Sequence, residues 1–463
     1  MSLCKIFIHS AAFSALIGSA SAATLPDSES FSLETVSVFD VNPTPASTGP
    51  RTWTYADCVD YAIANNPDIS QDILAILLAE EDIASAKDAW LPSVDFSTSH
   101  SYTNYPVPTD GRSANAYNSS YGINGSWTVW EGNARKYRLE SARLLRRQQV
   151  LTGADRINEI RLSILSAYLN ILFSREAVDI ARQTLEVSTS QTDRATKLTE
   201  AGRSSRVDLA QIESQKAQDE YNLVQAESDL ESNIMALKEL LALRLDSQLD
   251  IAHTVFPDTE IYSLLPDQTV TFATATSWLP EFESNSLAKD VYDNDVKVAK
   301  AGRLPEITAH AGVATGYATG GRSWTSQMGH GFNEAVGLTL SVPLFDGNKT
   351  KRAVAKAKLE ALEYDITQDR LLNQLSQTIE NLYVQARTSR AKYESGKVRL
   401  ESMELTSELV DRQFELGLVN PLELLTAHNN LLSARLEQLQ NKYMAILANK
   451  TIEFYNTQNI SLP

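Results

Sequence analysis

Apolar and polar positions along this chain follow two different periods, and each pattern occurs twice. In the first pattern, Ile157, Ile164, Ile171, Val178 and Leu185 recur every seven residues, with Ile160, Ala167, Ser174 and Ala181 forming a second stripe three residues on. Shifted by 215 positions, the same stripes read Leu372, Ile379, Ala386, Tyr393 and Leu400, then Leu375, Leu382, Ser389 and Gly396. A seven-residue spacing with a three-residue offset is a coiled-coil seam. Proline is absent between Pro108 and Pro257 and between Pro343 and Pro421, so both stretches can run as unbroken helix. Ala134–Ala201 and Lys349–Leu416 each count 68 residues, which at ~1.5 Å rise per residue is a rod of about 100 Å. Gly153 and Gly396 lie inside the rods and weaken them locally, each by about 1 kcal/mol relative to alanine.

Each rod ends on a glycine, Gly202 or Gly417, again 215 apart, and a second helical stretch comes after it. Glycine suits the left-handed position past a helix end, Ser205 and Asn420 can cap the returning helices, and Pro421 fits a first helical position. Ala210, Ala217 and Val224 keep a stripe on the first returning helix, matched by Leu425, Leu432 and Leu439 on the second. The pattern predicts two antiparallel helical hairpins, 134–245 with its tip near 202–208 and 349–455 with its tip near 417–423.

Upstream of each rod the period drops to two. Val336, Leu338, Leu340, Val342 and Leu344 share one face, opposite Ala335, Gly337, Thr339 and Ser341. Ile307, Ala309, Ala311 and Val313 alternate with Glu306, Thr308, His310 and Gly312. Tyr121, Ile123, Trp127 and Val129 alternate with Gly122, Asn124, Ser126 and Thr128. A weaker segment starts at Val94, Phe96 and Thr98 and gives way at His100. Strand pairs are therefore expected over 93–130 and 306–345, with polar loops at 106–116 and 318–333. Alternation over about 10 residues with aromatic ends is the signature of a transmembrane strand; a soluble antiparallel sheet gives the same alternation. Closure bears on the choice. Four strands cannot close a barrel, and open edges cannot face lipid, so membrane entry requires several chains to pool strands. Two chains would give eight strands, which side chains largely fill; a lumen favours three or more.

The remaining segments complete the organisation. Residues 1–22 read as a secretory signal: Lys5, an apolar run from Ile6 to Ile17, then Ala20-Ser21-Ala22. Residues 23–52 form an extended leader. The first repeat spans 53–250, opening with a helix over Tyr55–Lys87. A connector occupies 251–268, then come a second repeat at 269–456 and a tail at 457–463. Past the signal, no apolar run reaches the roughly 20 residues of a spanning helix.

Composition narrows the function classes. A net charge of −17 argues against a nucleic-acid surface, which needs a basic face. Of two cysteines, Cys4 and Cys58, only Cys58 outlasts signal removal, so no internal disulfide forms. The six histidines, at 9, 100, 253, 310, 330 and 428, lack metal-site spacing. His428 reads as a polar lumen or solvent position. No phosphate loop or nucleophile elbow occurs. A non-enzymatic protein without a cofactor is expected.

The ordered set of duplicated motifs resembles the TolC-type outer-membrane efflux and type I secretion duct family. The matching residues are Leu91-Pro92 and Leu304-Pro305, Val342-Pro343-Leu344-Phe345-Asp346-Gly347, Asn65-Asn66-Pro67, and the tips Gly202-x5-Asp208-Leu209 and Gly417-x5-Glu423-Leu424. The resemblance covers about Trp53 to Tyr455. It implies an α+β fold with four transmembrane strands per chain, pooled in a homotrimer into a twelve-stranded barrel, and long periplasmic coiled-coil hairpins. It further implies a passive export channel in a Gram-negative outer membrane, carrying small molecules or polypeptides. Its partners would be outer-membrane lipid, a periplasmic adaptor (membrane fusion protein) and an inner-membrane transporter of RND, ABC or MFS type. Family members carry carboxylate rings at the entrance. Glu423 aligns with the first; the second position holds Thr426, a departure from the pattern. Three copies of Glu423 around an axis would favour cations; as a first-turn acid it would simply complement the helix dipole. Asp208 has the same two readings. Gly202, Arg203, Gly417 and Asn420 are the expected adaptor-docking turns. The competing function class is a structural periplasmic spacer or adaptor with a soluble β-head.

Overall fold

A computed structural model describes residues 52–107, 114–244 and 246–462. The expected signal sequence, the leader up to residue 51 and part of the first strand loop lie outside the described residues. The first copy comprises β1 (Thr52–Trp53), α1 (Tyr55–Asn65), α2 (Pro67–Asp88), β2 (Ser93–Asn104), β3 (Asn115–Glu131), α3 (Ala134–Glu200) and α4 (Arg206–Leu240). The second comprises β4 (Asp250–Ile251), α5 (Gln268–Trp278), α6 (Pro280–Ala301), β5 (Glu306–Ala318), α7 (Trp324–His330), β6 (Asn333–Ser341), α8 (Lys349–Glu415) and α9 (Pro421–Thr457). Helices α3 and α8 are 67 residues each and run without interruption through Gly153 and Gly396. Gly153 is buried. At Gly396 an added Cβ would meet the end of the Gln438 side chain of α9, which would have to move aside.

The single helix expected over Tyr55–Lys87 is two helices. Pro67 cannot donate an N–H, and it forces the preceding Asn66 into extended geometry (φ −69°, ψ 128°). Asn66 then caps α2, its side chain accepting from the Asp68 N–H at 2.8 Å, while its amide donates to the Leu240 carbonyl at 3.0 Å and ties the break to the end of α4. The leader expected to end at residue 52 gives up Thr52 to β1, which pairs in parallel with β4. β6 stops at Ser341 because Pro343 interrupts the ladder, so Val342 and Leu344 lie beyond the strand. The second expected polar loop, 318–333, holds α7.

Packing places α2 along α3, and α6 between α3 and α8. The two copies build equivalent cores. Ala275, Leu279, Phe282, Leu375 and Ile379 form one cluster from α5, α6 and α8. Their counterparts in the first copy include Ala62, Ile69, Ile160 and Ile164, all buried. Each fully buried Leu, Ile or Phe contributes about 1.5–3 kcal/mol, so the helical layers are held mainly by these stripes. The connector is pinned to α9 by Lys450, which bridges Glu260 at 2.9 Å and Glu453 at 3.0 Å.

One expected stripe is corrected. Ala210, Ala217 and Val224 on α4 are exposed in the single chain. The buried residues of α4 are instead Ile212, Asp219 and Leu237. Apolar periodicity passes over them because one is a carboxylate.

Candidate functional site: a two-faced sheet and two hairpin tips

Strands β2, β3, β5 and β6 form one antiparallel sheet in that order. Register fixes two faces. Phe96 pairs with Ile123 and Ile123 with Val313; Trp127 pairs with Ala309 and Ala309 with Leu338. This face is apolar, and its side chains stand exposed, Leu338 at 75% and Val336 at 74%. The opposite face carries Ser93, Asp95, Ser97, Ser99, Asn124, Ser126, His310 and Thr339. Hydroxyls pair across it, Ser93 with Ser126 and Ser99 with Ser120, each at 2.8 Å, and Asn124 donates to Asp95 at 3.3 Å.

A bulge changes one expected face. The register shifts between Thr128 and Trp130, so Trp130, and not Val129, pairs with Ile307 on the apolar side. Aromatic residues collect at both ends of that face. Trp127 donates its indole N–H to the Trp90 carbonyl at 2.9 Å at the helix-proximal end. At the far end His100 stacks on Tyr117 (6.1 Å) and meets Tyr121 edge-on (5.4 Å), with Tyr117 beside Tyr317 (6.3 Å). The ten residue steps from Tyr117 to Trp127 span ~34 Å along the strand, or about 26 Å at a barrel tilt near 40°. That is the height of an apolar membrane band between its aromatic girdles. Among the described residues, the outer edges of β2 and β6 have no strand partner.

Strand-to-rod junctions are duplicated turns. Gly132 and Asn133 both have φ near +65° (64° and 66°), and Gly347 and Asn348 both 66°. Asp346 caps α8, accepting from the Thr350 N–H at 2.7 Å; the hydrogen bonds from Thr350 hold its carboxyl below the usual range.

At the far ends the tips are near copies of one another. Gly202 (φ 70°) and Gly417 (φ 73°) are left-handed, and nothing lies within 4 Å of either Cβ position. The N–H of Arg203 bonds to the Leu198 carbonyl at 2.8 Å, and that of Leu418 to Gln413 at 2.9 Å, the 6→1 bond of a Schellman motif. Ser205 and Asp208 form a reciprocal capping box: the Asp208 N–H donates to Ser205 Oγ at 3.0 Å, and the Ser205 N–H to Asp208 Oδ2 at 3.1 Å. The hydrogen bonds from Ser205 depress the Asp208 pKa. In the second copy Asn420 accepts from the Glu423 N–H at 3.0 Å, and its amide lies 3.3 Å from the Glu423 carboxylate. Thr426 turns its hydroxyl back to the Leu422 carbonyl at 2.7 Å. Within one chain Asp208 and Glu423 therefore sit at equivalent first-turn positions of separate tips, both near the helix surface.

A polar layer just inside the tips has only one member, His428, that the sequence singled out. Gln191 of α3 donates to Asp411 of α8 at 3.0 Å and lies 3.1 Å from Nε2 of His428 on α9; His428 lies 3.0 Å from Asp411. His428 is 13% exposed, which corrects its expected lumen or solvent position. Gln215 of α4 exchanges amide bonds with Asn429 of α9 at 3.3 Å and donates to the buried Asp219 at 2.9 Å. Burial raises the Asp219 pKa. The available signal was Asp219 itself, a carboxylate seven residues after Ile212 on a helix seam.

No helix among the described residues is long and apolar enough to cross a membrane. A sheet with one apolar and one polar face, banded by aromatics and continued by 67-residue helices, defines an outer-membrane duct. The model of the outer membrane efflux protein family matches residues 58–243 and 279–455, and the chain belongs to that family. It is 20% identical to the outer membrane efflux protein BepC of Brucella suis, over 84% of this chain and 81% of that protein. It is 27% identical to the alkaline protease secretion protein AprF of Pseudomonas aeruginosa, over 64% of this chain and 61% of AprF. Among solved structures, CusC superposes with a TM-score of 0.72 at 16% identity, over 86% of this chain and 91% of that one. The Campylobacter jejuni CmeC channel gives 0.70 at 17%, over 87% and 85%. The fold is thus that of Gram-negative outer-membrane channels with a periplasmic helical tunnel.

Proposed function

We propose that this chain is the passive outer-membrane duct of a tripartite efflux or type I secretion system, working as a homotrimer. The observation that carries the reading is the four-stranded, two-faced sheet whose outer edges, on β2 and β6, are unpaired among the described residues. Three copies joined edge to edge make twelve strands, with the serine- and asparagine-rich face lining the lumen and the apolar face against lipid. Exposed apolar side chains on the helices support assembly as well: Val224 on α4, and Leu359, Leu362 and Ile366 on α8, are each more than half exposed in one chain. A neighbouring copy would cover them. Cargo would enter at the tips, where a periplasmic adaptor docks on the turns at Gly202, Arg203, Gly417 and Asn420, and an inner-membrane transporter supplies the energy. The reading assigns the chain no bond-making chemistry: it supplies a path, and cargo moves down the gradient its partners create.

Introducing one cysteine into β2 and one into β6 tests the reading. Oxidation of intact outer membranes should give a covalent trimer, and detergent extraction a heat-resistant trimer. A soluble monomer with no inter-chain cross-link from any β2–β6 pair overturns it, and favours the spacer with a soluble β-head.

A further inference from the structure

The two rods begin against the electrostatic preference that most other helices of this chain follow. Asp57, Asp68, Asp208, Glu281 and Glu423 stand in the first turns of α1, α2, α4, α6 and α9, where the helix dipole favours an acid. Helices α3 and α8 have no acid there. They open instead on cations: six basic residues against one acidic over 135–147, and five against none over 349–358. Eleven of the chain's 41 basic side chains thus lie in 23 residues of a protein whose net charge is −17. The dipole opposes cations at this end of a helix, so their concentration calls for an anionic counterpart outside it.

Some of these cations are engaged within the chain. Arg135 is buried, donates to the carbonyls of Ala89 (3.1 Å) and Val129 (3.0 Å), and stacks on Trp90 at 4.6 Å. Arg138 bridges Glu131 at 2.6 Å, and Arg147 bridges Glu283. Lys136, Arg143, Lys351 and Lys358 differ: all four are exposed and, among the described residues, have no ion-pair partner. They are also the cations that the duplication retains. The 215-residue shift carries Lys136 onto Lys351 and Arg143 onto Lys358, whereas Arg138 falls on Ala353 and Arg147 on Leu362. Seven residues make nearly two helical turns, so each pair lies on one face, about 10 Å apart along the axis.

Their position points to the partner. Trp90, Trp127 and Trp130 stand at the helix-proximal end of the sheet, and Lys136 is six residues past Trp130. In the second copy Leu344 and Phe345, 94% and 83% exposed, come just ahead of Lys349. Exposed apolar side chains joined directly to exposed cations are the composition of a membrane-interface surface. The headgroup layer is about 5–7 Å deep on each side of the hydrocarbon core. Lys136 and Lys351 are third in their helices and fall at that depth. Arg143 and Lys358 can reach back toward it on long apolar stems.

We infer that Lys136, Arg143, Lys351 and Lys358 form a basic collar that binds the anionic headgroups of phospholipids in the leaflet on the helix side of the sheet. The inference rests on the duct reading, in which three copies would set six such pairs around the barrel. An acidic phospholipid offers the collar a net negative charge, whereas a zwitterionic one offers none.

Tryptophan quenching by brominated lipids tests the collar. The full chain carries Trp324→Phe, so that Trp90, Trp127 and Trp130 report from the helix-side girdle. It is reconstituted in vesicles containing brominated phosphatidylglycerol or brominated phosphatidylethanolamine. With the collar intact, phosphatidylglycerol should be favoured about threefold or more at low salt, and the preference should shrink at about 0.5 M salt. Lys136→Gln/Arg143→Gln/Lys351→Gln/Lys358→Gln should bring it close to unity. Lys351→Arg/Lys358→Arg keeps the charge and should keep the preference. Lys197→Gln/Lys392→Gln, about 95 and 65 Å down the rods, should leave it unchanged. Equal quenching by the two lipids with the collar intact overturns the inference, as does a preference that survives all four substitutions. A change of ion selectivity in bilayer recordings with lipid preference unaltered would place the four cations in the lumen and overturn it too. Quenching by neither lipid means that the sheet is outside the bilayer, which removes the duct reading itself and the collar with it.

Discussion

Pro67 and Pro280 occupy the same position in the two copies, 213 residues apart, each the first residue of a 22-residue helix. The residues before them share one extended geometry, Asn66 at ψ 128° and Leu279 at ψ 127°. The break is the same, but its support differs. Asn66 holds it by hydrogen bonds to Asp68 and Leu240, whereas Leu279 packs into the apolar cluster with Phe282 and Ile379. Asn66→Ala should therefore cost about 1–2 kcal/mol through loss of a cap and a buried bond. Leu279→Ala should cost about 2–5 kcal/mol through a cavity. Denaturant titration of the two variants checks the order; equal losses would mean the copies are supported alike.

Membrane insertion is expected to depend on strand parity. Leu340 lies on the apolar face and is paired with Ile307; its neighbour Thr339 pairs with Thr308 on the polar face. Leu340→Arg should cost about 2–4 kcal/mol if the residue lies near the bilayer midplane, and Thr339→Arg much less. The bulge makes a second test. Trp130→Arg should impair insertion more than Val129→Arg, although simple alternation gives the reverse order. Yield of heat-resistant trimer in outer-membrane fractions reads both pairs.

These pairs show how far the sequence reached. The rods were legible because proline is missing for long stretches and the seams repeat at a fixed shift, so helix existence needed no tertiary information. The sheet faces were legible wherever alternation was clean, as from Val336 to Leu340. The bulge was not, because Val129 satisfies alternation and only the pairing of Trp130 with Ile307 reveals the extra residue. The breaks at Pro67 and Pro280 were present in the sequence, but an apolar helical pattern on both sides masked them. The polar layer of Gln191, Asp411, His428, Gln215 and Asn429 was out of reach, since it needs the register of α3 against α8 and of α4 against α9, which no single-helix period encodes.

The tips should tolerate loss of space but not of backbone freedom. Nothing crowds the Cβ positions of Gly202 and Gly417, so a substitution there is opposed only by the left-handed backbone, about 1–2 kcal/mol for an L residue. Gly202→Val and Gly417→Val should abolish adaptor cross-linking and export while the assembly proposed above still forms, because the tips lie about 100 Å from the sheet by helix rise. Asparagine, which enters the left-handed region more readily, should restore part of both. Normal cross-linking in the valine variants would move docking away from these turns.

Acid should loosen the first tip through its capping box. The Asp208 pKa is depressed in the folded tip by the bonds from Ser205, so the contribution of its carboxylate is present above the ordinary aspartate range. It is lost as pH falls through the lowered folded value. Ser205→Ala removes the same bonds and should cost about 1 kcal/mol of local stability at neutral pH. Hydrogen exchange of the amides of α4 near Asp208 should rise in wild type as pH drops below about 4, after correction for intrinsic rates. In Ser205→Ala it should already be raised at pH 7, with little further change in acid. Matching profiles in the two proteins would leave the capping box without a role in tip stability.

Glu423 is the residue on which ionic preference at the entrance should turn. It stands third in α9, its N–H bonded to the Asn420 side chain and its carboxylate 3.3 Å from the Asn420 amide. That contact is long and exposed, and three copies around a trimer axis would present three carboxylates at one level. Asp208 has a different situation, because Ser204 and Ser205 both bond to its carboxylate and hold it on its own turn. On the gate reading, Glu423→Gln should reduce cation selectivity and weaken block by divalent or trivalent cations in bilayer recordings, and Asp208→Asn should do less. Thr426 lies three residues on, nearly one helical turn, and its hydroxyl is spent on the Leu422 carbonyl. Thr426→Asp should therefore add a second carboxylate level and strengthen block. A helix-start acid predicts something else: Glu423→Gln would then cost a few tenths of a kcal/mol of helix stability and leave conductance, selectivity and cation block where they were. Unchanged recordings from Glu423→Gln, together with a strengthened block in Thr426→Asp, would put the constriction one turn above Glu423.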